Sequence, residues 1–248
     1  FPVAGLGTRL QPVTGYLPKP LLPLACRTLL DRAAELLLAC GCDPVVVNAH
    51  HRADRIAAHL HDRPDRARFH LSLERNILGT AGAFHGARDV LAGADTLLAC
   101  NADVHGDVPL DEVAAAHEAS GALATLVLVD RPDVNTVLVD ADGRVRDLAD
   151  RLRPGPRPHD RRLTFTGLAC YDGSFLERVP AGPGDLVSVL CAVLAATPGA
   201  VRAHVHAGSW DDLGTLPRYL DAHRRLLGPG FVSVAPEIGR ASCRERVC

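Results

Sequence analysis

One stretch of the sequence, Ala4 to Leu24 (AGLGTRLQPVTGYLPKPLLPL), constrains the fold of this chain more than any other. It follows a short apolar start, Phe1 to Val3, and precedes a segment from Leu29 to Leu38 whose apolar residues recur at helical spacing. A strand, a glycine-containing loop and a helix in that order predict an α/β sheet with the loop at its edge. Loops in that position are where open α/β sheets bind phosphates.

The residues of this loop suit a phosphate ligand. Gly5 and Gly7 allow the backbone to turn tightly and bring its N–H groups close to an anion. Thr8 adds a hydroxyl, and Arg9 adds a permanent cation whose forked donors match phosphate oxygens. Lys19, which lies between two prolines on a stiffened segment, adds a second cation. We therefore predict a phosphate-binding loop with two cationic side chains.

Lysine is otherwise absent from the chain. Lys19 is the only lysine among 27 lysine and arginine residues, so the preference for arginine is overridden at this position alone. A compact ammonium fits among crowded phosphate oxygens as a point charge where a planar guanidinium would not. The composition therefore favours a functional role for Lys19 over a chance surface position.

The same stretch excludes two familiar phosphate loops and matches a third. The dinucleotide-binding fingerprint requires a third glycine where Leu10 stands, and no Gly-Lys-Ser/Thr of a P-loop occurs in the chain. The stretch resembles the signature of the sugar-1-phosphate nucleotidyltransferases, A-G-x-G-T-R-L-x-P-x-T, a spacer and P-K-P-L-x-P. It matches without a gap from Ala4 through Pro23. Within that family, the chain is most similar to the group of mannose-1-phosphate guanylyltransferases and N-acetylmuramate-1-phosphate uridylyltransferases.

Length and composition indicate one globular domain. The chain has 248 residues, 47% of them hydrophobic, which suffices for a large core. We predict a single nucleotidyltransferase domain over residues 1–236, with a nucleotide-binding half at 1–105 and a sugar-binding half at 106–230. Residues 237–248 resemble a translated sequencing adapter and are expected to be non-native, and the absence of methionine predicts a truncated N-terminus.

Charge and hydropathy limit the kinds of partner. A formal net charge of −2 and a pI near 6.7 argue against a nucleic-acid partner, which would require a strongly basic surface. The sequence contains neither an apolar run long enough to span a bilayer nor a secretion signal. We therefore expect a cytoplasmic protein without a membrane partner. The sequence does not indicate its oligomeric state.

The order of the predicted elements gives the fold class. Helix and strand patterns alternate through the first half, whereas strand follows strand after residue 123. We predict an α/β protein with a Rossmann-like mixed, mostly parallel sheet flanked by helices, the nucleotide-diphospho-sugar transferase fold that the resemblance implies. The predicted helices are 29–40, 52–60, 80–91, 109–120, 186–196 and 216–227, and the predicted strands are 44–48, 69–73, 96–100, 123–129, 134–139, 163–171 and 201–206.

A carboxylate follows the predicted strand TLLAC. Asp103 lies just past its carboxyl end, where ligands gather in open α/β sheets. The resemblance assigns Asp103 to the family's N/G-x-D motif, which supplies a ligand to Mg²⁺, a cation that takes one or two carboxylates together with substrate phosphate oxygens. The alternative is an aspartate that forms a turn or caps a helix, which is common after strands.

A second carboxylate belongs to the segment SWDDLGT, residues 209–215, which resembles the family's W-x-D-x-G-T. Asp212 is the matching residue, and Asp211 occupies the variable position. The alternative is that Asp212 or Thr215 caps the helix that begins near Leu216. The resemblance implies that Asp103 and Asp212 hold Mg²⁺ together.

The resemblance also assigns residues that contact the substrates. Its LGTAG segment places backbone against the nucleobase, because a side chain there would hold the base away. A helix N-terminus capped by Thr80 is an alternative reading of that segment. Ordinary strand structure is as good an explanation as sugar binding for the second-half candidates. The predicted nucleotide-binding residues are Ala4, Gly5, Leu6, Gly7, Thr8, Glu74, Gly79, Thr80 and Ala81, and the predicted sugar-binding residues are Asn135, Thr166 and Gly167.

The reaction implied by the resemblance joins a nucleoside triphosphate to a sugar 1-phosphate and releases pyrophosphate. Arg9 is then expected to hold the leaving pyrophosphate, and Lys19 to neutralise the α-phosphate and the sugar phosphate. Many relatives carry a Glu-Lys pair in the second half, whereas the region Arg151 to Pro154 has arginine only. Two other classes stay open: a non-catalytic nucleotide-sugar-binding regulatory homologue, and a cytidylyltransferase that acts on a non-sugar phosphate.

Overall fold

The computed structural model describes residues 7–155 and 157–228. Single-turn 3₁₀ helices at Thr8–Leu10, Val13–Gly15 and Lys19–Leu21 shape the N-terminal loop. The α-helices are α1 Leu29–Ala39, α2 Ala53–His61, α3 Gly79–Gly86, α4 Arg88–Leu91, α5 Leu110–Ser120, α6 Leu186–Ala196 and α7 Leu216–Leu227. The strands are β1 Pro23–Leu24, β2 Arg27–Thr28, β3 Val45–Ala49, β4 Phe69–Leu73, β5 Thr96–Cys100, β6 Val104–Gly106, β7 Ala124–Val129, β8 Val137–Val139, β9 Val145–Leu148, β10 Arg161–Asp172, β11 Val201–Val205 and β12 Trp210–Asp212.

A mixed six-stranded sheet forms the centre of the described structure. Its order is β11-β7-β10-β8-β9, and β5 also pairs with β10. Strand β7 is apolar except for Thr125, and all its residues are buried because it lies between β10 and β11 with helices on both faces. Strands β3 and β4 form a separate parallel pair.

Helices cover both faces of this sheet. Successive side chains of a strand point to opposite faces, and Leu126 and Val127 of β7 accordingly belong to different core clusters. Helix α6 packs on the face of Leu126 through residues such as Leu190. Helices α1 and α5 pack on the face of Val127 through Leu37 and Val113. The chain therefore forms a three-layer α/β/α arrangement.

The predicted Rossmann-like α/β class is confirmed, but the strand directions differ from the mostly parallel pairing predicted. Among the described strands, only the β3–β4 and β7–β11 ladders are parallel. The long strand β10 accounts for much of the difference, because it pairs antiparallel with β5, β7 and β8. An apolar run indicates that a strand is buried and does not reveal the direction of its neighbours.

Several predicted elements have different bounds. The predicted helix 80–91 is two helices that meet at Ala87. The predicted strand 134–139 is reduced to β8, because a loop held by the Asn135 side chain precedes it. Strands β6, β9 and β12 were not predicted; they have only three or four residues, too few to show a hydrophobic period.

Strand β10 changes its neighbour along its length. Its first residues pair with β8 and its last with β5. The register with β7 shifts between Phe165 and Ala169, and Gly167 lies within this bulge with a φ of 83°. A bulge of this kind bends a strand and redirects the chain. Gly167 consequently faces the residues that follow β5.

The described cysteines differ in their exposure to solvent. Cys100, Cys170 and Cys191 are buried free thiols, whereas Cys26 is exposed. No helix in the described ranges has the length and apolar character needed to cross a bilayer.

A polar network joins α1 to α2. Asp31, in the first turn of α1, accepts hydrogen bonds from Thr28 Oγ1 at 2.7 Å and from His59 Nε2 at 2.9 Å, and it forms an ion pair with Arg63. Burial would raise the pKa of Asp31, but these hydrogen bonds and charges outweigh burial and hold the pKa well below its ordinary value of 3.8. A carboxylate whose pKa is lowered in the folded state stabilises the fold at pH values above its ordinary pKa. This contribution is lost as the pH falls towards the lowered pKa.

We expect the Asp31→Asn variant to unfold more easily than the wild type at neutral pH. The loss is about 2 kcal/mol in the free energy of unfolding, because His59 loses its partner and Arg63 keeps only Asp65. The difference should begin to shrink as the pH falls below about 4, where the unfolded chain starts to bind the proton, and it should continue to shrink towards the lowered pKa of the folded state. Urea titrations at pH 7 and pH 3 measure both values. An equal difference at the two pH values would contradict the assignment.

Candidate active site

The N-terminal loop is folded so that Gly7 and Lys19 lie side by side. Gly7 has a φ of 63° and its carbonyl accepts hydrogen bonds from Leu10 N at 3.0 Å and Thr14 Oγ1 at 2.9 Å. A β-carbon at Gly7 would lie 3.0 Å from Thr14 Cγ2 and 3.3 Å from Lys19 Cβ. Glycine is therefore required both by the backbone conformation and by the close approach of Lys19.

Lys19 points from this loop towards the end of β5. The Pro-Lys-Pro segment forms a 3₁₀ turn, and Leu22 N closes it on the Lys19 carbonyl at 3.1 Å. The Lys19 side chain is only 15% exposed, and its Nζ donates to Oδ2 of Asp103. The charge of the only lysine is thus directed at the carboxylate predicted to ligate a metal.

The two predicted metal ligands lie on neighbouring strands. Asp103 precedes β6, and Asp212 ends β12, where it stands opposite Val104 in the antiparallel ladder. Leu213 N donates to the Asp103 carbonyl at 2.8 Å, which fixes the two segments together. The carboxylates of Asp103 and Asp212 are 30% and 29% exposed, so both are half-buried and open to a ligand.

Asp212 is already bound by two protein donors. Its Oδ1 accepts from Gly214 N at 2.8 Å, and its Oδ2 accepts from Arg218 Nη1 at 3.0 Å. Thr215 precedes α7 as its N-cap residue but makes no side-chain capping bond. Asp212 therefore shapes the turn before α7 instead of capping the helix, and this geometry leaves the proposed metal role open.

A cleft of about 350 Å³ brings most of the loop residues together. Gly214 also lines the cleft and lies beside the loop residue Arg9, since a β-carbon there would lie 3.2 Å from Arg9 Nη2. Ala4, Gly5 and Leu6 lie outside the residues that the structure describes. The predicted residues that line the cleft are Gly7, Thr8, Arg9, Lys19, Gly79, Thr80 and Asp103, and the further lining residues are Pro20, Asn48, Ile77, Asn101, Ala102 and Gly214.

Two predicted nucleotide-binding residues lie behind the cleft wall. Glu74 is 7% exposed; its Oε1 accepts from Asn48 Nδ2 at 2.6 Å and its Oε2 from Leu78 N at 3.1 Å. Ala81 is fully buried, and its N–H donates to the Gly184 carbonyl at 3.0 Å. In this structure Glu74 supports the wall by holding Asn48 and the start of the LGTAG segment. Direct contact of either residue with the nucleotide stays a prediction.

Thr80 joins the two halves of the chain. Its Oγ1 accepts from Leu186 N at 2.9 Å, at the start of α6. Gly79 has a φ of 75°, and a β-carbon there would lie 2.5 Å from the Gly184 carbonyl oxygen. The LGTAG segment thus needs its first glycine for packing against the second half, in addition to any contact with a base.

The predicted sugar-binding side chains are committed to internal hydrogen bonds. Asn135 Oδ1 accepts from Arg131 N at 2.9 Å and from Thr164 Oγ1 at 2.8 Å. Thr166 is 1% exposed and donates to the Val127 carbonyl at 2.8 Å. Neither residue lines the cleft, so the geometry fits the alternative of ordinary strand and loop structure, and sugar contact by Asn135 or Thr166 stays a prediction.

Gly167 lies against the cleft wall. Its carbonyl accepts from Asn101 N at 3.0 Å. A β-carbon at Gly167 would lie 2.5 Å from Nδ2 and 3.1 Å from Cβ of Asn101. Because Asn101 lines the cleft, Gly167 sets the position of a cleft residue.

We expect Gly167→Ala to lower the free energy of unfolding by about 2 kcal/mol, through backbone strain and displacement of Asn101. The matched control is Gly121→Ala at the end of α5, where φ is 59° and no atom lies within 4 Å of the added carbon. That variant should lose only about 1 kcal/mol, from backbone strain alone. Equal losses in a denaturant titration would show that the Asn101 contact costs nothing.

The donor set fits a hard divalent cation. Asp103 lines a cleft wide enough for phosphates, whereas Asp212 is not a lining residue and binds the lining residue Gly214. Mg²⁺ is usually held by one or two carboxylates plus substrate oxygens. Within the described ranges, no group of three or more histidine, cysteine, aspartate or glutamate side chains gathers as an all-protein metal cage. The geometry thus suits a cation that arrives with its phosphate ligand.

Among the unpredicted residues near this site, three have polar or charged side chains. Asn48 and Asn101 line the cleft, and Arg218 contacts Asp212. Asn48 ends the apolar run PVVVN, and a polar residue at the end of a buried strand was the available signal. Arg218 gave no signal, because it is one of many arginines in the chain. Arg151 belongs to the region where many relatives carry a Glu-Lys pair. Its side chain hydrogen-bonds to Ser188 and forms an ion pair with Asp185 at the start of α6.

The sequence matches a known family model and named relatives. Residues 3–228 match the family model described as nucleotidyl transferase. Mannose-1-phosphate guanylyltransferase 1 of Arabidopsis thaliana is 29% identical over 95% of this chain and 68% of its own length. The mannose-1-phosphate guanylyltransferase catalytic subunit beta of Drosophila pseudoobscura pseudoobscura is 28% identical over 86% of this chain and 57% of its own length.

Solved structures share the fold. HddC from Yersinia pseudotuberculosis, solved in a complex with GMP-PN, superposes with a TM-score of 0.71 at 21% identity over 90% of this chain and 96% of its own. An apo UDP-glucose pyrophosphorylase superposes with a TM-score of 0.74 at 16% identity over 92% of this chain and 96% of its own.

Proposed function

This chain belongs to the nucleotidyl transferase family, and we propose that it transfers a nucleotidyl group from a nucleoside triphosphate to a sugar 1-phosphate. The observation that carries the proposal is a single cleft lined by the glycine loop, Arg9, Lys19 and Asp103. Cations beside phosphate-sized space and a carboxylate that suits a divalent metal are what phosphoryl transfer requires. The named relatives favour GTP and mannose 1-phosphate as the first pair to test.

Binding and charge neutralisation account for the proposed catalysis. A phosphate oxygen of the sugar 1-phosphate attacks the α-phosphorus, forming the new diphosphate bond, and the bond to the β-phosphate breaks as pyrophosphate leaves. Backbone N–H groups at Gly7 and Thr8, with the Arg9 guanidinium, hold the departing pyrophosphate. Lys19 stabilises the charge that builds up at the α-phosphate, because its ammonium is half-shielded from water and fixed by the loop.

Asp103 and Asp212 are the proposed ligands of Mg²⁺. The cation, when bound, would neutralise phosphate charge and orient the triphosphate. Lys19 lies against Asp103, and Arg218 against Asp212, so both carboxylates remain charge-balanced without substrate. We propose that these ion pairs keep the two carboxylates in place before the substrates bind.

We propose that the first half of the domain binds the nucleotide and the second half binds the sugar. Gly79, Thr80 and Ile77 would face the nucleoside, with Glu74 and Ala81 as the support behind them. The sugar would lie towards the loop before β8 and the Gly167 bulge. The cytoplasmic location inferred from the sequence and the division into halves at residue 105 stay predictions.

The test is pyrophosphate release with Mg²⁺, using each of GTP, UTP, CTP and dTTP against a panel of sugar 1-phosphates. We expect release with a preferred pair, GTP and mannose 1-phosphate being the first candidate and UTP with N-acetylmuramate 1-phosphate the second. Release only with CTP and a non-sugar phosphate would favour the cytidylyltransferase alternative. A folded protein that binds nucleotide but releases nothing with any pair would favour the regulatory homologue.

A further inference from the structure

Arg218 is a third cation near the proposed site, bound to Asp212, whose other oxygen accepts from the cleft residue Gly214. It lies in the first turns of α7, where its Nη1 donates to Asp212 Oδ2 at 3.0 Å. Its Nη2 lies 3.9 Å from Asp133 Oδ2. Asp133 belongs to the loop between β7 and β8, so Arg218 lies between a proposed metal ligand and the proposed sugar half.

The two oxygens of Asp212 have different neighbours. Gly214, whose N–H binds Asp212 Oδ1, lies beside the Arg9 guanidinium. Arg218 binds the other oxygen, Oδ2. Arg9 of the glycine loop is therefore near the Gly214 side of Asp212, whereas Arg218 lies on the side that faces Asp133. A ligand on the Arg218 side would be held by different donors from the triphosphate.

The guanidinium of Arg218 has donors to spare. An arginine side chain carries five N–H donors, and the 3.9 Å approach to Asp133 is too long for a hydrogen bond. The side chains of Arg218 and Asp133 are 43% and 70% exposed, so solvent reaches the Arg218 guanidinium. One amino group, Nη1, is bound to Asp212, so the donors that remain for a phosphate oxygen are those of Nη2 and Nε together with the second hydrogen of Nη1.

Neighbouring arginines do not offer the same arrangement. Arg225, on the same helix, pairs with Asp211, and Arg224 pairs with Asp221 within α7. Arg131 donates to the Trp210 carbonyl at 2.6 Å and lies over the Trp210 ring. Among these residues, Arg218 alone joins a proposed metal ligand, Asp212, to the loop between β7 and β8.

We propose that Arg218 binds the phosphate of the sugar 1-phosphate, and that Asp133 holds the free guanidinium near this position until the substrate displaces it. The proposal rests on the proposed function, since that function defines the second substrate. Arg9 would then bind the triphosphate, and Arg218 would bind the sugar phosphate that attacks it.

The test is calorimetric binding of a sugar 1-phosphate to the intact protein, with no turnover required. Mannose 1-phosphate is the first probe, replaced by the preferred sugar 1-phosphate if the release panel identifies another. We expect Arg218→Ala to raise its Kd by about 10- to 100-fold, the loss of a charged hydrogen-bonded contact. The Kd for the nucleoside triphosphate should change by no more than about 2-fold, because Arg9 supplies that contact.

Arg225→Ala is the matched control, since it breaks an ion pair between the same helix and the adjacent residue of β12. It should leave both Kd values unchanged. Arg218→Lys keeps the charge without the fork and serves if Arg218→Ala does not fold; we expect an intermediate Kd.

The outcomes separate this inference from the proposed function. Lack of pyrophosphate release by the wild type, with sugar-phosphate binding that still depends on Arg218, would reject the function and keep the inference. An unchanged sugar-phosphate Kd in both Arg218 variants, or no binding to the wild type, would overturn it. A raised Mg²⁺ requirement with an unchanged sugar-phosphate Kd would assign Arg218 to holding Asp212 and would also overturn it.

Discussion

The Lys19→Ala variant is expected to lose about 10³-fold in kcat, because it removes the fixed cation at the reacting phosphate. The Lys19 side chain is 15% exposed and directed at Asp103, so it is shielded from water in a fixed position. Charge held in such an environment stabilises a developing negative charge more than a mobile surface charge does. Steady-state pyrophosphate release by purified wild type and variant measures the loss.

Lys19→Arg is the informative companion variant. It keeps the charge but introduces a planar fork into the space beside Gly7 and Asp103, and we expect it to recover less than about a tenth of the wild-type rate. Circular dichroism and thermal unfolding check that both variants fold. Activity of Lys19→Ala within 10-fold of the wild type would remove Lys19 from the catalytic group, since loss of a transition-state cation costs about 10²-fold or more.

The second large effect is expected for Asp103→Ala. This change removes a proposed ligand of Mg²⁺ and the carboxylate partner of Lys19, and we expect kcat to fall by about 10²- to 10³-fold. The fold should survive, because the bond from Leu213 N reaches the Asp103 backbone carbonyl and not its side chain. Pyrophosphate release over a range of Mg²⁺ concentrations measures both the rate and the metal requirement.

Asp211→Ala is the control for Asp103→Ala. Asp211 lies on β12 next to Asp212, but its side chain pairs with Arg225, away from the cleft. We expect it to retain near wild-type activity and metal dependence. If Asp211→Ala and Asp103→Ala had equal effects, general disturbance of the β6–β12 ribbon would explain the loss better than metal binding does.

Regular elements with a clear hydrophobic period could be predicted from the sequence. Helix α6 begins and ends where its apolar pattern does, and α1 begins at Leu29 as predicted. Strand β7 is fully buried, as its mostly apolar sequence indicates. These elements follow their local pattern because burial of their apolar faces dominates their stability.

Features set by contacts between distant residues could not be predicted. The short strands β6 and β12 exist because they pair with each other and hold Asp103 beside Asp212. The bulge at Gly167 depends on the change of partner from β8 to β5. A sequence pattern shows that glycine is present and does not show which neighbour approaches it.

Some residues of the candidate site could likewise be predicted from the sequence, and others could not. The glycine loop, Lys19 and Asp103 were found by their residue types and their matching motif, and they line one cleft. Glu74 was predicted to contact the nucleotide, but its carboxylate is occupied by Asn48 and Leu78. Residue type predicts that a buried carboxylate needs partners, and only the fold shows that those partners are within the protein.

The central claim is that this cleft moves a nucleotidyl group to a sugar 1-phosphate. The most direct measurement follows a nucleoside triphosphate labelled at its α-phosphorus in the presence of Mg²⁺. We expect the label to appear in a nucleoside diphosphate sugar only when the sugar 1-phosphate is added, with unlabelled pyrophosphate as the second product. Label released as a nucleoside monophosphate, or label that stays in the triphosphate with every acceptor, would contradict the claim.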